Sequence, residues 1–392
     1  MAAASDKARF FLEQSVPELK EYERKKIFGA DEITSIARKR SDFEHKINAR
    51  GSTPTDYARY AEFEINVDAL RRKRIKRLGV KTTHHHGPRR IFFIFDRATR
   101  KHPGDVGLWM QSIDYARKQK AHKKLSQLFT NVLRLHPTKP DLWIYAAQLA
   151  MDDHGDMSEA RSYMQRGLRF CRGTRAMWLE YARLEMAYIA KIHARREILG
   201  ISRQKEPEDV PEQPQEEDEN VLPLPRLTAE DINPDVGEDR ADDVALRHLD
   251  STPAWSGAIP IAIFDAAMSH FKQDSALGYS FFEMISEFDQ CPLASTRILT
   301  HIDQALMDTC PRSWQAQACH IQLPTFNIPA SSPEFPSAFR KALRRLKEGR
   351  SMTDGEAPLC EWARSWLQRV LEVPDVDPGI SAVAESVLKS LG

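Results

Sequence analysis

Apolar residues along most of this chain return at the spacing of a helix. Leu125, Leu128, Phe129, Val132 and Leu133 fall at i, i+3, i+4, i+7 and i+8, which makes a single stripe on one helical face. A proline then follows and ends the helix, because it lacks an amide donor and its ring clashes with the preceding turn. The pattern repeats. "FFIFDRATRKHPGDVGLWMQSIDYA" (92–116), "SQLFTNVLRLHPTKPDLWIYAAQLA" (126–150) and "SYMQRGLRFCRGTRAMWLEYARLEM" (162–186) align, with Trp109, Trp143 and Trp178 at intervals of 34 and 35. Phe95, Phe129 and Met164 precede the tryptophans at the same intervals, and His102-Pro103, His136-Pro137 and Cys171-Arg172 align between them. Each repeat reads as a helix pair whose closing signal falls six residues before the tryptophan of the next helix. One such pair cannot bury its own stripe, so neighbouring pairs must stack.

A further unit lies upstream. "YARYAEFE" (57–64) sets Tyr57, Tyr60, Phe63 and Glu64 where "WLEYARLE" has Trp178, Tyr181, Leu184 and Glu185. Tyr57 and Trp109 are 52 residues apart, so an insertion swells the interval. "ADEITSIARKRSDFEHKINARG" (30–51) predicts a helix capped near Asp31. From 201 to 253 the period disappears into acid- and proline-rich text that cannot offset its ordering entropy. Helical text returns at 260–273, 276–291, 294–321 and 335–349, and "TCPRSW" repeats the Pro-then-Trp punctuation. No alternating strand pattern persists. The expected fold is all-α, a solenoid of stacked helix pairs. Its expected divisions are a helical cap over 1–52, a repeat solenoid over 53–200 with a basic insertion at 71–90, and a disordered linker over 201–253. Degenerate repeat helices over 254–330 and a C-terminal helical segment over 331–392 complete it. The repeat core is assigned to Tyr57, Phe95, Trp109, Phe129, Trp143, Met164, Trp178 and Tyr181.

The insertion carries the chemistry that folding does not explain. Between Arg71 and Arg77 only Ile75 interrupts six basic residues. At about 100° per residue such a run encircles a helix, and the nearest acids in sequence are Glu62, Glu64 and Asp68. Like charges at i,i+4 repel, whereas phosphate neutralisation releases counterions. Contact with RNA, a nuclear-import signal and a bare solvated face are the three readings of this run, and the first two can coexist. The candidate RNA contacts are Arg71, Arg72, Lys73, Arg74, Lys76, Arg77, Lys81, Arg89 and Arg90. They would meet backbone and shape, since no base-reading pattern accompanies them. A second basic cluster, Lys341, Arg344, Arg345 and Lys347, reads as a solvated helix face.

Composition narrows the remaining classes. The formal net charge is +1, but residues 1–100 hold 23 Lys/Arg against 14 Asp/Glu while 201–250 hold 5 against 16, so a basic front is concealed by an acidic middle. Five scattered cysteines with no CxxC pair argue for reduced thiols and an intracellular setting. No apolar run is long enough to span a bilayer, and Asp6 and Glu13 are out of place in a signal or transit peptide. "HHH" at 84–86 lacks the Cys or carboxylate partner that metal spacing requires. "DDHGD" at 152–156 reads as caps and a turn, and Cys310 and Cys319 as core. No P-loop, GxSxG, HExxH or kinase signature occurs, so no catalytic residue, metal or cofactor is expected.

Trp-x-x-Tyr-x-x-(Phe/Leu)-Glu followed by Ala-Arg-x-x-Tyr/Phe, Arg-Ala/Gly-Leu and a closing Pro resembles the half-a-TPR (HAT) repeat, which implies a right-handed α-solenoid of HAT/TPR-like helix pairs. "WLEYARLE" (178–185) with "EARSYMQRGLRF" (159–170) carries it best, while Trp109 and Trp143 keep the anchor and lose the Tyr and Glu columns. "FLEQSVPELKEYERKKIF", "KRSDFEHKINARGSTPTDYARYAEFEINVDALRRKRIKRL", "LHPTKPDLWIYAA" and "LEMAYIAKIHARREILG" resemble, in order, the family of U3 small-nucleolar-RNA-associated HAT subunits of the UTP-B subcomplex of the small-subunit processome. The likeness is dense over 8–200, looser over 255–325 and slight over 331–392. It implies a non-catalytic scaffold of the nucleus and nucleolus, acting in the 90S pre-ribosome during 18S rRNA maturation. Implied partners are the other UTP-B subunits, mostly β-propeller proteins, the pre-rRNA 5′ external transcribed spacer and the U3 snoRNA ribonucleoprotein, with no membrane. The alternative is a HAT adaptor in splicing or mRNA 3′-end processing that touches no RNA itself.

Overall fold

The structure, a computed structural model, describes residues 2–80, 86–153, 155–198, 257–353, 356–373 and 377–391. The linker expected at 201–253 lies outside them. Every regular element among the described residues is helical, with no strand. The chain divides into two compact units, Met1–Trp143 and Ile144–Gly392.

The first unit contains α1 (Ala2–Glu13), α2 (Val16–Arg24), α3 (Ala30–Asn48), α4 (Pro54–Leu78), α5 (His86–Lys101), α6 (Val106–Lys118) and α7 (His122–Leu135), and the start of α8 (Pro140–Asp153). The second holds the rest of α8, then α9 (Met157–Phe170) and α10 (Arg175–Ile198), followed by helices at Ala258–His270, Ser275–Ser286, Pro292–Thr309 and Trp314–Gln322. Phe335–Met352, Glu356–Leu371 and Pro378–Ser390 end it. Around these last helices Phe335, Phe339, Leu346, Leu359, Trp362 and Trp366 build one apolar core that also takes in Ala318 and Ile321.

The repeat columns have a common physical cause. The indole N–H of Trp109 donates to the Pro103 carbonyl at 3.0 Å, that of Trp143 to the Pro137 carbonyl at 2.9 Å and that of Trp178 to the Arg172 carbonyl at 2.9 Å. In each unit the ring is buried while its one polar atom satisfies the turn carbonyl six residues back, the pairing that a buried Trp requires. Helix closure is equally regular. The amides of His102, His136 and Cys171 each donate to the carbonyl four residues earlier, at 2.8 Å.

A fourth copy of this turn occurs at Cys310, whose amide donates to the Leu306 carbonyl at 2.8 Å. Here Gln317, not Trp314, takes the indole's place, donating from Nε2 to the Pro311 carbonyl at 2.6 Å. The copy at TCPRSW is thus degenerate: Trp314 lies three residues short of the anchor position, and an amide does the indole's hydrogen bonding. Cys319 is buried as expected, but Cys310 is only half-buried, its Sγ 3.3 Å from the Gln273 carbonyl. In the first unit the corresponding His136 ring nitrogen Nε2 lies 2.8 Å from the Pro103 carbonyl. Each of these closing side chains thus reaches back to the turn of the preceding pair.

The Glu column has a partner that spacing alone did not disclose. Arg40 grips Glu64 through two bonds of 2.7 and 2.8 Å, and Arg161 grips Glu185 through two of 2.8 Å. Both pairs join residues 24 apart. Where Ala116 and Ala150 replace the Glu, Phe92 and Ser126 stand at the Arg position, so charge and counter-charge disappear together. Other local readings hold: Asp156 caps α9 by accepting from the Glu159 amide, and Gly155 supplies the left-handed turn at φ +67°. Arg345, expected on a solvated face, is half-buried and donates to the His320 carbonyl at 2.6 Å, whereas Lys341, Arg344 and Lys347 are exposed.

Trp109→Ala should lower unfolding free energy by about 3–5 kcal/mol through lost burial and the cavity left behind. Trp109→Phe, which keeps most of the ring but removes one of the two hydrogen-bond partners of the Pro103 carbonyl, should cost about 0.5–1.5 kcal/mol. Urea titration followed by circular dichroism measures both. Arg40→Met should cost about 3–5 kcal/mol because Glu64 loses both of its close hydrogen bonds and keeps only Arg90, 4.0 Å away, as a buried counter-charge, and adding Glu64→Leu should recover most of the loss. A single variant as stable as the parent would show that Glu64 does not depend on Arg40.

Candidate nucleic-acid interface

The basic run occupies the C-terminal third of α4, which continues without a break from Pro54 to Leu78 and ends at Gly79 in a left-handed conformation, φ +65°. A helix of this length, 25 residues, spans about 37 Å and outreaches the pair it belongs to. The run does not leave the protein, however. It is divided around the helix into an inward and an outward set.

Arg71 is buried and folds back on Asp68, donating from Nε and Nη2 to one carboxylate oxygen at 2.9 and 2.7 Å. Arg72 takes the other oxygen at 2.7 Å and reaches Gln119 on the turn after α6 at 2.8 Å. Arg74 turns towards the N-terminal helices. It binds both oxygens of Glu32 at 2.6 and 2.7 Å and the Ile27 carbonyl at 3.0 Å, with its guanidinium 4.9 Å from the Phe28 ring centre. Ile75 packs beside it against the cluster of Leu19, Tyr22, Ile27, Phe28 and Ile36. Of the nearest acids in sequence Asp68 serves two arginines, and a further counter-charge, Glu32, arrives from α3, 42 residues upstream.

Asp68 is itself tightly confined. A Cβ placed on Gly87, in the first turn of α5, would sit 2.0 Å from its Oδ1. The carboxylate therefore lies against the N-terminal end of α5, where the helix dipole favours negative charge.

Arg90 also belongs to the interior. It donates to Glu18 at 2.7 Å and lies 4.0 Å from Glu64. Burial alone would raise the Glu18 carboxyl, but Arg90 and Arg40 together with the Tyr22 hydroxyl, 2.5 Å away, hold it below the ordinary value. Arg97 completes this network by clasping Glu44 at 2.7 and 2.8 Å between the rings of Phe11 and Phe93.

What remains for solvent is Lys73, Lys76 and Arg77 on one stripe of α4, and Arg89 at the start of α5. Arg72 is about half exposed. Arg89 borders a cleft of about 290 Å³ lined also by Glu18, Tyr60 and Phe93. Lys81 and the side chains of His84, His85 and His86 lie outside the described residues, among which no group of three or more His, Cys, Asp or Glu could hold a metal. The eight repeat-core residues, Tyr57 to Tyr181, are all buried.

Residues 12–93, which include the basic run and its partners Asp68 and Glu32, match the family described as U3 small nucleolar RNA-associated protein 6. The similarity extends further along the chain. U3 small nucleolar RNA-associated protein 6 of Schizosaccharomyces pombe is 38% identical over 199 residues, 50% of this chain and 41% of the relative. The homolog from Homo sapiens is 33% identical over 193 residues, 47% of this chain and 32% of the relative, and that from Dictyostelium discoideum is 26% identical over 206 residues, 52% of this chain and 34% of the relative. The match thus takes in half of this chain and less than half of each of these relatives. Their names describe association with a small nucleolar RNA.

The Arg74 grip, followed by the Gly29 amide, holds the Glu32 carboxyl at about 2, against an ordinary 4.5. A depressed carboxyl contributes stability that is present above the unfolded value and lost as pH falls towards the folded one. Stability should therefore decline from about pH 5 to pH 2, and Arg74→Met should flatten that decline while lowering stability at neutral pH. Urea midpoints measured across this range test it, with Lys76→Met, at an exposed site, leaving the profile unchanged.

Proposed function

We propose that this chain is part of a non-catalytic scaffold of the UTP-B complex in the small-subunit processome, serving U3-dependent pre-rRNA processing and 18S rRNA maturation in the nucleolus. The observation carrying the proposal is the match of residues 12–93 to the U3 small nucleolar RNA-associated protein 6 family, the same segment whose fold leaves Lys73, Lys76, Arg77 and Arg89 exposed. The helix pairs are read as HAT repeats forming a right-handed solenoid. Support comes from the recurring indole-to-carbonyl bonds and from closing side chains that touch the preceding turn.

In this reading the N-terminal cap, residues 1–52, positions α4, and residues 53–200 offer a surface to partner subunits. The segments 254–330 and 331–392 extend the helical body beyond a linker at 201–253. Arg71, Arg74 and Arg90 hold α4 and α5 in place, and the exposed cations meet phosphates of U3 RNA or of the 5′ external transcribed spacer. The role asks for no reacting group, because positioning RNA on a rigid surface requires charge and shape only.

Ultraviolet crosslinking of the tagged full chain in cells, with sequencing of the attached RNA, tests the reading. Enrichment of U3 RNA and the 5′ transcribed spacer, with crosslinked peptides between 70 and 100, is expected. Crosslinks confined to splicing or mRNA 3′-end RNAs, or association with those complexes and no RNA attached to the chain, overturns it.

A further inference from the structure

A second cationic segment, "ARKQKAHKK" (116–124), lies 40 residues beyond the basic run. The fold joins the two. Arg72 forms the joint, with one end on Asp68 of its own helix and the other on Gln119. Gln119 is flanked by Lys118 and Lys120, both exposed. The turn that presents them is fixed: the Ala121 amide donates to the Ala116 carbonyl at 3.0 Å and the Lys120 amide to the Arg117 carbonyl at 2.9 Å, the paired bonds of a Schellman cap. Lys120 takes the left-handed position of that cap, φ +52°, where glycine is the unstrained choice.

We propose that Lys118 and Lys120 combine with Lys73, Lys76 and Arg77 into one composite surface that binds the phosphodiester backbone of folded, double-stranded RNA. The inference rests on the RNA-contact reading above and extends it to a segment that no sequence pattern links to the run. Local electrostatics do not use up these cations. The C-terminal ends of α4 and α6 each present about half a negative charge, so one cation offsets both. Asp68 is already held by Arg71 and Arg72. Asp114 is the single acid of α6, and Arg117 follows it three residues later. A surplus of positive charge therefore faces solvent.

The class of RNA follows from the side chains described on α4 and α6 beside that charge. Reading unpaired bases needs exposed rings on which they stack. The large apolar side chains exposed on this part of α4 are Leu70 and Leu78, and α6 and its turn expose no aromatic ring. Charge without stacking suits a duplex, recognised through backbone and shape.

The test measures binding of the full chain to a short RNA duplex over a range of KCl concentrations, with poly-glutamate as the competing polyanion. The parent chain should bind the duplex in preference to poly-glutamate. Lys118→Gln with Lys120→Gln should weaken binding several-fold and lower the salt slope by about 2, roughly one for each phosphate that is no longer neutralised. Lys73→Gln with Lys76→Gln and Arg77→Gln should lower it by about 3. Lys120→Gly separates charge from folding: thermal stability should hold or rise while affinity falls. A parent that binds duplex while the 118/120 variant matches it overturns the composite surface and leaves the α4 contact standing. A parent that fails to bind duplex, or prefers poly-glutamate, overturns both.

Discussion

A helix pair that must stack on its neighbours faces a recurring difficulty at its turn, where carbonyls at the end of one helix are left without partners. Here the side chain that seals the apolar seam also carries the missing donor. Trp109, Trp143 and Trp178 each place a bulky ring in the core and one N–H on the carbonyl six residues back. The spacing of the repeat follows from that double duty, because a ring shifted along the helix would either leave the seam or leave the carbonyl. Gln317 shows which half of the requirement is stricter. At that turn the aromatic bulk is gone, yet the donor to Pro311 is kept.

The same economy governs charge in the N-terminal unit. Glu18, Glu44 and Glu64 are buried, and each is met by an arginine from a different helix. Removing charged groups from water is costly unless partners converge on them with good geometry, so these pairs fix how α2, α3, α4 and α5 lie against one another. The basic run takes part in this arrangement through Arg74, which reaches Glu32 of α3, while Arg71 holds Asp68 of its own helix. A sequence that looks like a uniform cationic stretch is two populations, one committed to folding and one turned to solvent, separated by the rotation of the helix that carries them.

Much of this was legible before any coordinates. The helical class, the helix closures at His102, His136 and Cys171, and the burial of every assigned core residue were readable because periodicity and proline act locally. Asp68 was in view as a nearby acid, but the counter-charge of Arg74 was not, because Glu32 meets it from 42 residues away and neither residue announces the other. The 24-residue interval between Arg40 and Glu64 recurs at Arg161 and Glu185, and comparing those two stretches could have exposed it. The Pro-then-Trp echo at Trp314 pointed to a degenerate unit but not to its anchor, because the backbone counts six positions from Pro311 to Gln317. The nearness of the α6 turn to α4 had no signal at all, since a hydrogen bond between Arg72 and Gln119 depends on how intervening helices fold back.

The carbonyl of Pro103 illustrates how such a stack holds its coherence. It lies within hydrogen-bonding distance of both Trp109 of its own pair and His136 of the next. When the later pair loosens, the earlier turn gives up one of these two partners, so damage at one step is felt at its neighbour but is not passed on undiminished. In the proposed stack of helix pairs, melting is expected to begin at a poorly anchored step and spread with a short correlation length, rather than as a single concerted event.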